Sequence, residues 1–197
     1  MTTKRSLVGS MKLQVRTLLT IVVVLWALEI VDFVVFGGAL NNFGIRPREV
    51  SGLWGILFAP FLHGDFLHLI ANTIPLVSMG WLIMLRDETD LVPVTLITAL
   101  IGGLGTWLIG SSGVHIGASG VIFGYFGFLL LRGYFERSLS AIAFSVVVAF
   151  LYGGIIWGVL PSQPGISWEG HLCGFLGGVI AARLLSKPRK RPQNFDI

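Results

Sequence analysis

Ser119 sits in Gly117-Ala-Ser-Gly120, at the head of an apolar stretch running to Arg132. A serine hydroxyl that opens a helix lies among unpaired backbone N–H groups, at the positive end of the macrodipole. Both favour the negative charge that develops on a carbonyl oxygen under nucleophilic attack. That is half of a serine-hydrolase site. The same letters also serve packing: Gly117, Gly120 and Gly124 are small residues of the kind that let a neighbouring membrane helix come close, with the hydroxyl turned to a backbone carbonyl.

The other half needs a base. His171 lies in Gly170-His-Leu-Cys-Gly174, and Gly174 with Gly178 gives a second run of small residues. Two glycine faces pressed together would bring this imidazole within hydrogen-bond reach of Ser119, the arrangement of an activated nucleophile. A third polar station is His63-Gly-Asp-Phe-Leu-His-Leu-Ile-Ala-Asn72. His68 and Asn72 are four residues apart and share a helix face, while His63 lies roughly 140° around. The pair reads either as interhelical hydrogen bonding or as donors to a reacting group. Asp65 reads as a helix N-cap.

The elements that must position these residues are membrane helices. Of 197 residues, 54% are hydrophobic and only 12% charged, which excludes a water-soluble globule of this size. The fold class is an all-α polytopic membrane protein. Six apolar spans can be drawn, at 17–36, 63–84, 91–110, 114–132, 139–160 and 168–186, each near the ~20 residues that cross a bilayer core. Residues 1–16 then read as an N-terminal tail, 17–186 as one membrane domain and 187–197 as a basic C-terminal tail.

Six spans put both termini on one side. Of the 14 basic residues only Arg46 and Arg48 fall on the other, so the positive-inside rule places the termini in the cytoplasm and the protein in the inner or plasma membrane. The net charge of +4 has this topological origin, and the Lys187-Pro-Arg-Lys-Arg191 tail reads as a membrane-flanking anchor rather than a nucleic-acid patch. The lone Cys173 excludes an intrachain disulfide. No zinc-protease His-Glu-x-x-His and no intramembrane Gly-x-Gly-Asp is spelled, so neither a metal nor a cofactor is expected.

Direction ties the polar residues together. Spans two, four and six run the same way, so His68, Asn72, Ser119 and His171, each near the start of its span, form one layer near the outer face. The chemistry that follows is Ser119 as nucleophile, His171 as general base and later acid, and an oxyanion hole from the Ser119 N–H with Asn72 and His68.

These motifs, in this order and on these spans, resemble the rhomboid intramembrane serine proteases. The resemblance rests on Gly117-Ala-Ser-Gly120, His63-x4-His68-x3-Asn72 and Gly170-His171-x2-Gly174, and it covers the six-helix core. It implies a rhomboid-like six-helix bundle, a Ser–His dyad with no acidic third member, and substrates that are themselves transmembrane helices. It also implies a structural role for His63 and an aromatic, Phe123, packed on His171, with Gly117, Gly120 and Gly174 in support. One departure concerns an adjacent Trp-Arg pair in the first outer loop; here Arg46 and Trp54 are well separated.

The apolar segment Gly37 to Leu62 is expected to lie at the outer interface in short pieces broken by Pro47 and Pro60. Pro161–Ser167 reads as a mobile cover and span five as a gate. His115 reads as a surface residue; Glu169 and Cys173 point away from the face that carries His171. Glu29 and Asp32, inside span one, are expected to hydrogen-bond toward the bundle or the first loop. With the histidines they also permit a proton-coupled transporter, although no internal repeat supports one. A catalytically silent helix-binding relative is the other alternative.

Overall fold

The structure, a computed structural model, describes residues 7–161 and 165–186. The first helix, α1 (Leu7–Val31), starts ten residues earlier than the span drawn from hydropathy, so Lys12 and Arg16 lie on it. Its buried positions Gln14, Leu18, Leu25 and Glu29 form one stripe. Two tryptophan N–H groups fasten that stripe to the next long helix: Trp81 Nε1 donates to Gln14 Oε1 (3.1 Å) and Trp26 Nε1 donates to Thr73 Oγ1 (3.2 Å). The end of α1 widens into a π-turn, Asp32–Phe36, closed by Gly37 in the left-handed region (φ 58°). Asp32 is buried because it works there: its Oδ1 accepts from Leu40 N–H (2.9 Å) and holds the turn that starts the first loop.

That loop is a chain of short pieces, three 3-10 turns (Ala39–Phe43, Val50–Trp54 and Ala59–Phe61) around a single turn of helix, α2 (Gly55–Phe58). Trp54, Leu57, Phe58 and Phe61 are exposed on it, as suits an apolar interfacial segment. Its anchor is not a Trp-Arg neighbour pair. Arg48, itself in the left-handed region (φ 63°), donates from Nη1 to the carbonyls of Gly110 (2.8 Å) and Leu108 (3.3 Å). Trp107 Nε1 in turn donates to Glu49 O (2.7 Å). A guanidinium at a helix C-terminus satisfies carbonyls that have no partner within the helix.

The other long helices are α3 (Phe66–Arg86), α4 (Leu91–Ile109), α5 (Ser119–Glu136), α6 (Leu139–Tyr152, prolonged by a 3-10 segment Gly153–Val159) and α7 (Trp168–Leu185). Side chains cap three of them: Asp65 accepts from His68 N–H at α3, Ser138 from Ala141 N–H at α6, and Ser167 from Gly170 N–H at α7. No strand occurs among the described residues.

Six long helices stand where six spans were drawn, but among the described residues only four stretches, 7–36, 66–86, 91–109 and 139–159, are long and apolar enough to cross a membrane by length and composition alone. α5 and α7 fall short because they carry glycines, Arg132, Glu136, Glu169 and His171. They are the interior of the bundle. α5 packs on α3, α4, α6 and α7, and every residue from Val121 to Leu129 is buried.

Glycine sets the spacing at that centre. A Cβ on Gly174 would meet the carbonyl oxygen of Gly120, and a Cβ on Gly178 that of Gly124, so α5 and α7 run backbone to backbone. A Cβ on Gly102 of α4 would lie 3.1 Å from Gly174 Cα, which brings a third helix into the same seam. This is the close approach that small residues permit where lipid offers no hydrophobic drive to helix association. At the far end of the bundle Arg132 is buried between Asp90 and Glu136, both of which accept hydrogen bonds from it. Arg86 pairs with Glu136 at 2.7 Å. Two of the basic residues assigned to the terminal side are thus matched inside the protein, and the cluster joins α3, α5 and the start of α4.

The start of span four also differs from the one drawn. Span four was drawn from residue 114, but the helix starts at Ser119. Gly117 has φ +114°, outside the helical region. The backbone before it is already committed: Ile45 and His115 exchange N–H···O bonds (2.9 Å each), and Gly117 N–H donates to Ala59 O (2.9 Å). The N-terminal tail beyond residue 7, the basic C-terminal tail and residues 162–164 of the Pro161–Ser167 segment lie outside the described residues.

Candidate active site

Ser119 is the first residue of α5, delivered there by an irregular strip, 114–118, that Ile45 and Ala59 of the first loop hold from behind. His63 is fully buried just before α3, and its Nε2 accepts from Ala118 N–H (3.5 Å), fixing the residue in front of the serine. A nitrogen that accepts an N–H bond carries no proton, so the Nε2 of this buried ring is the unprotonated one.

The glycine seam places His171, one turn into α7, over the start of α5. His171 Nε2 lies 2.9 Å from Ser119 Oγ. The other ring nitrogen, Nδ1, lies 2.9 Å from the carbonyl oxygen of Gly158 in the 3-10 segment after α6. A carbonyl can only accept, so Nδ1 carries the proton, and Nε2 is left to accept from the serine hydroxyl. Phe123, one turn beyond Ser119, lies flat on the imidazole, with centroids 4.1 Å apart and planes 7° apart.

On the α3 side, a Cβ on Gly117 would come within 2.8 Å of His68 Nε2 and 3.5 Å of Asn72 Nδ2. The turn into Ser119 therefore lies directly against both side chains. Gly64 N–H donates to His68 Nδ1 (3.4 Å), which leaves the proton of the neutral ring on Nε2, toward Gly117. Asn72 Nδ2 is buried with no hydrogen-bond partner among the described residues. An orphaned buried donor beside a serine at a helix N-terminus is what a developing oxyanion would satisfy.

The structure thus brings together Ser119, His171, His68, Asn72, His63, Gly117 and Phe123, with Gly120 and Gly174 as the seam beneath them. His115 is not a free surface residue. It is half-buried, with Nδ1 2.6 Å from Ser167 Oγ and Nε2 2.9 Å from Ser111 O, so it ties the cap of α7 to the strip before Ser119. Glu169 turns away from His171, and its Oε1 accepts from Ser111 N–H (2.8 Å). Cys173 also faces elsewhere, into the notch at Gly105 of α4. Sequence reasoning missed Gly158, whose part is played by a backbone oxygen, and the tie made by His115. A histidine four residues before the serine is the only signal the latter leaves.

Residues 50–188 match the Rhomboid domain, and the chain belongs to the rhomboid family. It is 47% identical over 184 residues to Uncharacterized protein Rv1337 of Mycobacterium tuberculosis, covering 89% of this chain and 76% of that one. It is 28% identical over 152 residues to Putative rhomboid protease YdcA of Bacillus subtilis, covering 75% of each. RHOMBOID-like protein 5 of Arabidopsis thaliana is 31% identical over 178 residues, covering 81% of this chain and 54% of the plant protein. Family and helical bundle agree on a multi-pass membrane protein.

Proposed function

We propose that this chain is an intramembrane serine endopeptidase that hydrolyses peptide bonds in or near the transmembrane helices of other membrane proteins. The observation that carries the reading is the 2.9 Å contact between Ser119 Oγ and His171 Nε2, with the proton of His171 held on the opposite nitrogen. In the acylation step Ser119 Oγ attacks the scissile carbonyl carbon while His171 Nε2 takes the hydroxyl proton. The resulting oxyanion is received by the Ser119 N–H, Asn72 Nδ2 and His68 Nε2–H. The tetrahedral intermediate collapses, the imidazolium gives its proton to the leaving amine, and the first product departs. Water then attacks the acyl-serine with His171 again as base, which restores the free hydroxyl.

The charge asymmetry supports cytoplasmic termini and a dyad near the outer face of the cell membrane. Substrate has to reach that layer sideways. α6 packs mainly on α5, and its opposite face exposes Val146, Val147, Phe150 and Leu151. The side between α6 and α3 is therefore the entry the packing favours. The transporter alternative loses support because the carboxylate of Asp32 is spent on the turn after α1.

A serine-directed fluorophosphonate tests the chemistry without a known substrate. It is expected to label Ser119 in the wild type and not in His171→Ala. Equal labelling of both would remove His171 from the reaction.

A further inference from the structure

We propose that Gly158 is a positioning residue: its carbonyl oxygen orients His171 and keeps the ring proton on Nδ1, the task a carboxylate performs in a Ser–His–Asp triad. The proposal rests on the reading of His171 as general base.

Three observations carry it. Both ring nitrogens of His171 are accounted for, one on Ser119 Oγ and the other on Gly158 O at 2.9 Å, so no side chain completes a triad. Glu169, the nearest acid in sequence, gives Oε1 to Ser111 N–H on another segment. The approach also tolerates nothing larger than glycine. A Cβ at 158 would lie 2.6 Å from Phe123 Cζ and 3.3 Å from His171 Nδ1, pressing at once on the ring that stacks and the ring that reacts.

The segment that offers this oxygen is itself held in place. Ile155 and Ile156, one turn before Gly158, pack against the core of the bundle, and the segment touches α7. Clamped between a stacked phenyl ring below and a carbonyl at its edge, the imidazole keeps one tautomer and one plane. A neutral carbonyl stabilises the imidazolium less than a carboxylate would. It also brings no second buried charge into a bundle interior, where an unpaired ion is expensive.

The ring nitrogens can be observed directly. With ¹⁵N-histidine in the purified wild-type protein and His171→Ala for assignment, His171 is expected to show a protonated Nδ1 and an unprotonated Nε2. A ring protonated at Nε2, or an equal mixture of tautomers, would overturn the proposal. Gly158→Ala is expected to lose that single-tautomer signature. Its rate of Ser119 labelling by a small fluorophosphonate should fall on the order of 10- to 100-fold, the scale of one lost hydrogen bond plus a misplaced base. Thermal unfolding should move to lower temperature because of the overlap with Phe123, while substrate KM should change little. An unchanged tautomer and an unchanged labelling rate in the variant would likewise overturn it. If the wild type neither labels nor cleaves, the protease reading fails on its own, and the ring spectrum still tests the tie to Gly158.

Discussion

Replacing Gly174 by alanine isolates the role of the seam. The added Cβ meets only backbone: it overlaps the Gly120 carbonyl oxygen and lies 2.8 Å from Gly120 C and 3.1 Å from its Cα. No rotamer can relieve that. Restoring a normal carbon-to-oxygen separation of about 3.3 Å requires α7 to retreat from α5 by on the order of 1 Å. His171 is three residues before Gly174 and Ser119 is next to Gly120, so the retreat falls on the dyad itself. It would stretch the 2.9 Å contact to roughly 4 Å, beyond hydrogen-bond range. A misplacement of that size costs about 10²-fold in rate, and overpacking costs about 1–3 kcal/mol of stability. The assay is Ser119 labelling and single-turnover cleavage by purified protein, with thermal unfolding measured on the same sample. Leu176→Ala on the exposed face of α7 serves as the control and should behave as wild type. A Gly174→Ala protein with wild-type rate and wild-type melting would refute the argument that helix spacing sets the dyad.

Further outcomes follow from the same geometry. Asn72→Ala should lower kcat by about 10²–10³-fold without abolishing cleavage, because two other donors to the oxyanion remain; an unchanged kcat would make Asn72 purely structural. Arg132→Leu leaves Asp90 buried without its cation, while Glu136 keeps Arg86, and should destabilise the fold by about 3–5 kcal/mol. Denaturation in a graded detergent series checks it, and an unshifted midpoint would contradict the account of the ion cluster. A disulfide joining α6 to α3 near the Ser119 end should stop cleavage of a transmembrane substrate while Ser119 still takes up a small soluble reagent. Full cleavage by the cross-linked protein would move the entry site elsewhere.

What could be read in the sequence divides along a physical line. Helical periodicity and one shared chain direction put His68, Asn72, Ser119 and His171 in a common layer, and the glycines at 120, 124, 174 and 178 marked the faces that meet. Both signals are carried by side-chain type at fixed spacing, which a sequence records directly. The hold of Arg48 on Gly110, the bridge from Ile45 to His115 and the carbonyl of Gly158 use backbone atoms, and every residue has those. Long-range pairing was equally hidden. Arg132 and Asp90 are 42 residues apart, and the charge pattern showed Arg132 only as a topological marker. The start of α5 was misplaced because 114–118 is apolar enough to extend a span, whereas its backbone is held by Ile45, Ala59 and His63.

The central claim is that the Ser119–His171 pair hydrolyses a peptide bond at the membrane. The most direct measurement incubates the purified, reconstituted protein with a panel of tagged single-pass membrane proteins, some with helix-breaking residues near the outer end of the span. Ser119→Ala and His171→Ala proteins of equal stability run alongside. The account predicts cleavage in or near the transmembrane helix by the wild type, fastest for the helix-broken substrates, and none by either variant. Cleavage that survives Ser119→Ala, or a wild type that labels with fluorophosphonate yet cuts no member of the panel, would contradict it.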